Sequence, residues 1–219
     1  MNYVEEREIK LIKLSKDVLF LSRNTLLVNM RFLDMALSQL PYVVANTTIC
    51  TDGKYLYYDP VYILNNYKEE KENITRGYLH IIMHCIFRHM YVDSLVNKEL
   101  WDLSCDIAVE ASILGLNVNS VNTNLSNKRQ STIEELSKKV KYITAEKLYD
   151  YFLNCNLSES KISNLLELFC FDDHTIWYKN EEAKQKMLGL KSSIQSNYVS
   201  EGESDGESDE GDSSKSSSK

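Results

Sequence analysis

A chain of 219 residues has room for one or two domains with a real core, and its 2 prolines and 7 glycines favour a helix-rich body. The net charge of -7 excludes a basic nucleic-acid footprint and sits mostly at one end: seven acids and two lysines put -5 of it in residues 201–219, leaving -2 for the other 200. Five widely spaced cysteines without a C-x-x-C pair, a start with no basic and apolar leader, and no run of ~20 apolar residues predict reduced thiols, a cytoplasmic location and no membrane span.

Residues 4–39 carry apolar side chains at helical spacing from Ile9 to Leu37, with Ser22-Arg23-Asn24-Thr25 as the expected break and Pro41 as the stop. Tyr42-Val43-Val44 and Tyr55-Leu56-Tyr57-Tyr58 are β-rich and flank Thr51-Asp52-Gly53-Lys54, which predicts a short hairpin. Asp59 then caps a helix opened by Pro60. Further helices are expected over 73–92 and over 99–114, the latter ending near Gly115. The Asn- and Ser-rich stretch 115–130 reads as a loop, and Ser131 with Glu134 as a capping box. Helices from Thr144 to about Asn154 and from Ser158 to about Phe171 follow, then a loop at 171–174 and an amphipathic helix from Glu181 to Ile194. From Ser200 onward only Gly, Glu, Ser, Asp and Lys occur, too polar to offset chain entropy by burial. The expected organisation is a mainly α body with a small β-hairpin (α+β) over 1–198 and a disordered acidic tail over 199–219.

Three of the four histidines fall within ten residues: His80, His84 and His89. His80 and His84 lie one turn apart on one helix face, the geometry by which two imidazoles reach one zinc ion, or by which two histidines form a hydrogen-bonded pair. The flanking Leu79, Ile81, Ile82, Met83, Ile86 and Phe87 make this an apolar helix, where an unpaired imidazole costs about 1–3 kcal/mol. On a straight helix His89 turns about 900° from His80, so it is expected on the opposite face, at the surface or the helix end. The next helix offers a third ligand. Asp102, Asp106 and Glu110, each four apart, form one stripe, either solvated or turned inward; Asp106 sits in its most apolar part.

These residues resemble the N-terminal domain of predicted metal-dependent peptidases that carry a VWA-like C-terminal domain. Thr51-Asp52-Gly53-Lys54 with Tyr57-Tyr58-Asp59-Pro60 is similar to that family's T-D-G hairpin and N-P helix start. Leu79 to His89 resembles its L-H-E-x-x-H-x-x-x-G-H helix, and Trp101 to Glu110 its W-x-x-A-x-D-x-x-x-N helix. Asp172-Asp173-His174 with Trp177 resembles a D-x-H-x-x-W element. The resemblance implies a zincin-like helical metallopeptidase domain, zinc as the metal, His80, His84 and Asp106 as ligands, and His174 as an additional site residue. It also implies a protein partner of the MoxR-type AAA+ ATPase class.

The departures are as specific as the matches. Ile81 stands where the family has glutamate, Arg88 where it has glycine, and Glu110 where it has asparagine. The family glutamate takes a proton from the metal-bound water, which isoleucine cannot do. The VWA-like domain is missing, so the chain is expected to be a fragment or a short version. Three functions follow: a metal-binding domain without peptidase activity that acts through protein contacts; an active hydrolase with a displaced base, Glu110 or Asp102; or a metal-free helical interaction module. The acidic tail is expected to aid solubility or to meet a basic partner surface.

Overall fold

The computed structural model describes residues 3–92, 95–155, 157–179, 183, 184 and 186. Eight α-helices and a three-stranded sheet are present among them. The long helix α1 (Tyr3–Asn29) is followed by a 3-10 turn and the short α2 (Asp34–Leu37). Strands β1 (Tyr42–Val44), β2 (Ile49–Thr51) and β3 (Leu56–Tyr58) come next. Then come α3 (Pro60–Glu69), α4 (Lys71–Phe87), α5 (Lys98–Gly115), α6 (Ser126–Ser137), α7 (Ala145–Asn154) and α8 (Glu159–Phe169), and a 3-10 segment at His174–Tyr178. The mainly helical reading with a small β element therefore holds. The expected helix at 181–194 and the acidic tail lie almost wholly outside the described residues.

Three local expectations change. The break in the first helix comes at Met30, not at Ser22–Thr25, because the polar side chains there serve the helix. Thr25 Oγ1 donates to the Leu21 carbonyl at 2.9 Å and Asn29 Nδ2 to that of Thr25 at 2.7 Å, while Ser22 is buried on the packed face. The hairpin joins β2 to β3; β1 lies on the other side of β3 and runs parallel to it. The run Ile49-Cys50-Thr51 is short and mixed, so it carries little strand signal, yet all three residues are buried. Finally, α6 begins at Ser126 within the expected loop, and Ser131 is mid-helix, its hydroxyl donating to the Asn127 carbonyl.

The turn chemistry does follow the sequence. Gly53 sits at φ +86°, where a side chain is strained, and Asp52 Oδ1 accepts the amides of Lys54 and Tyr55 at 2.9 and 3.0 Å. Asp59 caps α3 by accepting from Tyr62 N at 2.7 Å, with Pro60 in the first turn.

Two main apolar cores result. One joins α1, the inner faces of β2 and β3, α3, α4 and the end of α5, around Leu19, Leu26, Ile63, Tyr78 and Ile81. The other joins the outer face of α5 to α6, α7 and α8, around Leu103, Ile107, Leu148 and Phe169. Helix α5 has one face in each core, and its polar stripe points into the seam between them.

Candidate metal centre

Helix α4 brings His80 and His84 into the seam because every other position from Ile74 to Met83 is committed to burial. Helix α5, capped by Asn97 at Leu100 N, presents Asp106 and Glu110 from the other side. Both are essentially inaccessible, so the acidic stripe faces inward. The third contributor is the segment after α8. Asp173 N donates to the Ile49 carbonyl at 2.9 Å, Trp177 Nε1 to that of Thr51 at 2.9 Å, and Tyr62 Oη to that of Phe171 at 3.1 Å. Thr47 Oγ1 adds a bond to Asp173 Oδ2 at 3.1 Å. This latch to β2 and α3 aims Asp172 and His174 at the histidine helix.

The ring nitrogens and carboxylates converge. His80 Nε2 and His84 Nε2 each lie 3.2 Å from Asp106 Oδ1, and His80 Nε2 lies 3.4 Å from Asp172 Oδ1. His84 Nε2 is 3.9 Å from Asp172 Oδ2. One ligand atom from each of His80, His84, Asp106 and Asp172 falls within 4.8 Å of the others. His174 Nε2 reaches the same carboxylates, 3.2 Å from Asp106 Oδ1 and 3.0 Å from Asp172 Oδ1. An ion with four tetrahedral donors at 2.0–2.1 Å holds them about 3.3–3.4 Å apart, so most of these spacings match the edges of such a polyhedron.

Well-aligned hydrogen bonds satisfy only part of this cluster. His84 Nε2, Asp106 Oδ2, both Asp172 carboxylate oxygens and His174 Nε2 are buried without a partner of acceptable geometry. Each orphaned group costs about 1–3 kcal/mol, and five in one place is far outside the habit of folded proteins. A bound cation removes that cost, and the donor set of imidazoles and carboxylates suits a divalent transition metal.

The far side of each ring is fixed as well. His80 Nδ1 donates to Glu110 Oε1 at 2.9 Å, His84 Nδ1 lies 3.0 Å from His89 Nδ1, and His174 Nδ1 lies 3.4 Å from Asp102 Oδ1. A carboxylate can only accept, so Glu110 keeps the proton on Nδ1 of His80 and leaves Nε2 facing the cluster. Glu110 is itself paired with Arg76 and with Arg129, the latter at 3.2 Å. Asp102 also accepts from Tyr178 Oη.

Charge follows the same layout. Burial opposes an imidazolium at His80, but Asp106, Asp172 and Glu110 outweigh it and hold its pKa well above the ordinary value; Asp106 and Asp172 do the same for His174. Burial pushes His84 down, and burial with the neighbouring His84 drops His89 to about 3. Glu110, despite burial, is drawn down to about 2 by His80, Arg76 and Arg129.

His80, His84 and Asp106 are thus brought together, with His174 beside them. Glu110 stands behind His80, and Asp102 behind His174. His89, expected on the opposite face, is buried against His84. Helix α4 ends at Phe87, Arg88 takes a left-handed conformation (φ 60°), and His89 N bonds back to the His84 carbonyl at 3.1 Å. This Schellman turn reverses the chain, so the straight-helix projection does not apply. Asp172 is the ligand candidate that sequence reasoning missed; the signal was its place in the D-x-H element beside His174. Ile81 is fully buried in the first core.

A cleft of about 540 Å³ reaches this cluster, lined by Asp102, Asp106, Asp172 and His174 with Glu99 and Thr48 toward its walls. The class defined by these features is a helical domain with a His/Asp cluster that could hold a metal ion, set between two helices and a latched loop. The chain belongs to the putative metallopeptidase domain family, whose model matches residues 12–219. No curated protein and no solved structure matches it. Among the described residues no helix is long and apolar enough to cross a membrane.

Proposed function

We propose that this domain holds a zinc ion on His80, His84, Asp106 and Asp172 without hydrolysing peptides, and acts through contacts with other proteins. One observation carries the reading: Asp172 offers a fourth ligand atom, within 4.8 Å of those of His80, His84 and Asp106. Four protein ligands make a closed, structural site; catalytic sites keep three and a water. Bound there, the ion would supply Lewis acidity and a low-pKa water only if Asp172 withdrew. Ile81 agrees with a silent site, since its side chain belongs to the core and brings no carboxylate to the cleft.

The experiment is a pair of assays on the same purified full chain. Metal content should match the chain concentration, and a peptide library should remain uncut with metal fully loaded. Metal-dependent cleavage would overturn the silent reading. A second reading, a hydrolase with a displaced base, has one observation in its favour: His174, backed by Asp102, lines the cleft beside the metal ligands. In that case cleavage would be present and Asp102→Asn would abolish it. Glu110 does not serve this reading, because its carboxylate is spent on His80, Arg76 and Arg129.

A further inference from the structure

The seam between the two cores contains a second cluster of buried charge that the ligand set does not use. Arg76 on α4, Glu110 on α5 and Arg129 on α6 are each at least nine-tenths buried. Arg76 Nε lies 2.9 Å from Glu110 Oε2, and its Nη1 donates to the Val121 carbonyl at 2.7 Å. Arg129 Nη1 lies 3.2 Å from the same Glu110 oxygen, while its Nε donates to the Leu168 carbonyl at 2.9 Å. The other Glu110 oxygen takes the Nδ1 proton of His80.

Two buried arginines on one carboxylate are a poor way to gain stability. Apolar residues of similar volume would do as well or better, so the network invites a reason other than packing. Its endpoints supply one. Through Oε1 it fixes the ring of His80, in the half of the ligand set carried by α4. Through Arg129 it grips the carbonyl of Leu168, four residues before Asp172 in the half carried by the segment after α8. Glu110 is therefore the common anchor of both halves.

We infer that Glu110 and Arg129 are positioning residues for the metal site, and that they set its affinity by registering the α4 histidines against the Asp172 segment. This rests on the reading of the cluster as a metal centre. Neither residue touches the ion. Each acts on a residue that does, as an outer partner orients a ligand ring, where loss costs roughly 10–100-fold in metal affinity.

The test uses the full chain and zinc or cobalt ions, with affinity read by chelator competition. Removing Glu110 alone leaves two arginines unpaired and risks unfolding, so the informative variants are Arg129→Met and the charge-balanced pair Glu110→Gln with Arg129→Met. Circular dichroism confirms that each is folded. Both should bind metal about 10–100-fold more weakly than the parent and change the visible spectrum of bound cobalt, which reports ligand geometry. A loss of thermal stability with unchanged affinity and an unchanged cobalt spectrum would overturn the inference, leaving the network purely structural. A parent chain that takes up no metal overturns the metal reading itself; a parent that binds tightly beside variants that bind equally tightly overturns only this one.

Discussion

At the scale of single residues, position 81 belongs to the core and not to the lining of the cleft. Ile81 is fully buried in the core that α4 shares with α1, so a glutamate placed there would put a carboxylate into the core. Ile81→Glu should therefore destabilise the protein by about 3 kcal/mol or more, with no gain of peptidase activity. Thermal melts and a cleavage assay check this together; a stable variant that cuts peptides would show that position 81 faces the cleft. Arg88 offers the opposite effect. It holds φ 60° at the end of α4, a conformation that costs a side-chain residue about 1–2 kcal/mol. Arg88→Gly should raise stability by about 0.5–1 kcal/mol, after loss of the guanidinium contact with Tyr91. An unchanged or lower denaturation midpoint would contradict the strain argument.

At the scale of elements, α4 and the segment after α8 depend on each other through a close approach. A Cβ on Gly77 would stand 2.2 Å from the Phe171 ring, and Phe171 directly precedes Asp172. Gly77→Ala should push that ring away, cost about 1–3 kcal/mol and weaken metal binding as Asp172 shifts; unchanged affinity would place the control of Asp172 elsewhere. The two helices of the site were legible in the sequence. The i, i+4 histidines, the Asp106 position and the Asp59 helix start are local signals, and local physics preserved them. The remainder depended on contacts that no local pattern encodes. Asp172 enters the site because of bonds to Ile49, Thr51 and Tyr62 more than a hundred residues away. His89 turns inward because α4 ends at Phe87, two residues before it. Strand β2 exists because Tyr58 and Leu56 pair with it, not because Ile49-Cys50-Thr51 has strong strand character.

At the scale of the whole molecule, the two cores meet on a seam that gathers buried carboxylates and imidazoles. In the metal-free protein, protons on His80 and His174 face the carboxylates of Asp106 and Asp172. The pKa values of these two histidines are raised, so the stability they contribute is complete below about pH 6.5, the unfolded value, and fades as pH rises through the higher folded values. Asp172 and Glu110 are lowered, so their contribution is present above about pH 4 and is lost on acidification through the folded values. The metal-free protein should accordingly lose stability toward alkaline pH. A metal ion competes with the imidazolium protons, so the rise in melting temperature on adding zinc should grow from pH 6 to pH 8. A metal-induced shift that is flat across this range would mean that the histidines are not the ligands.

The most direct measurement is the metal content of the purified full chain after dialysis, beside the His80→Ala variant. The parent should hold about one zinc per chain and the variant near none, with the fold retained. A parent chain that is folded and holds no stoichiometric metal in zinc-replete buffer would contradict the metal reading.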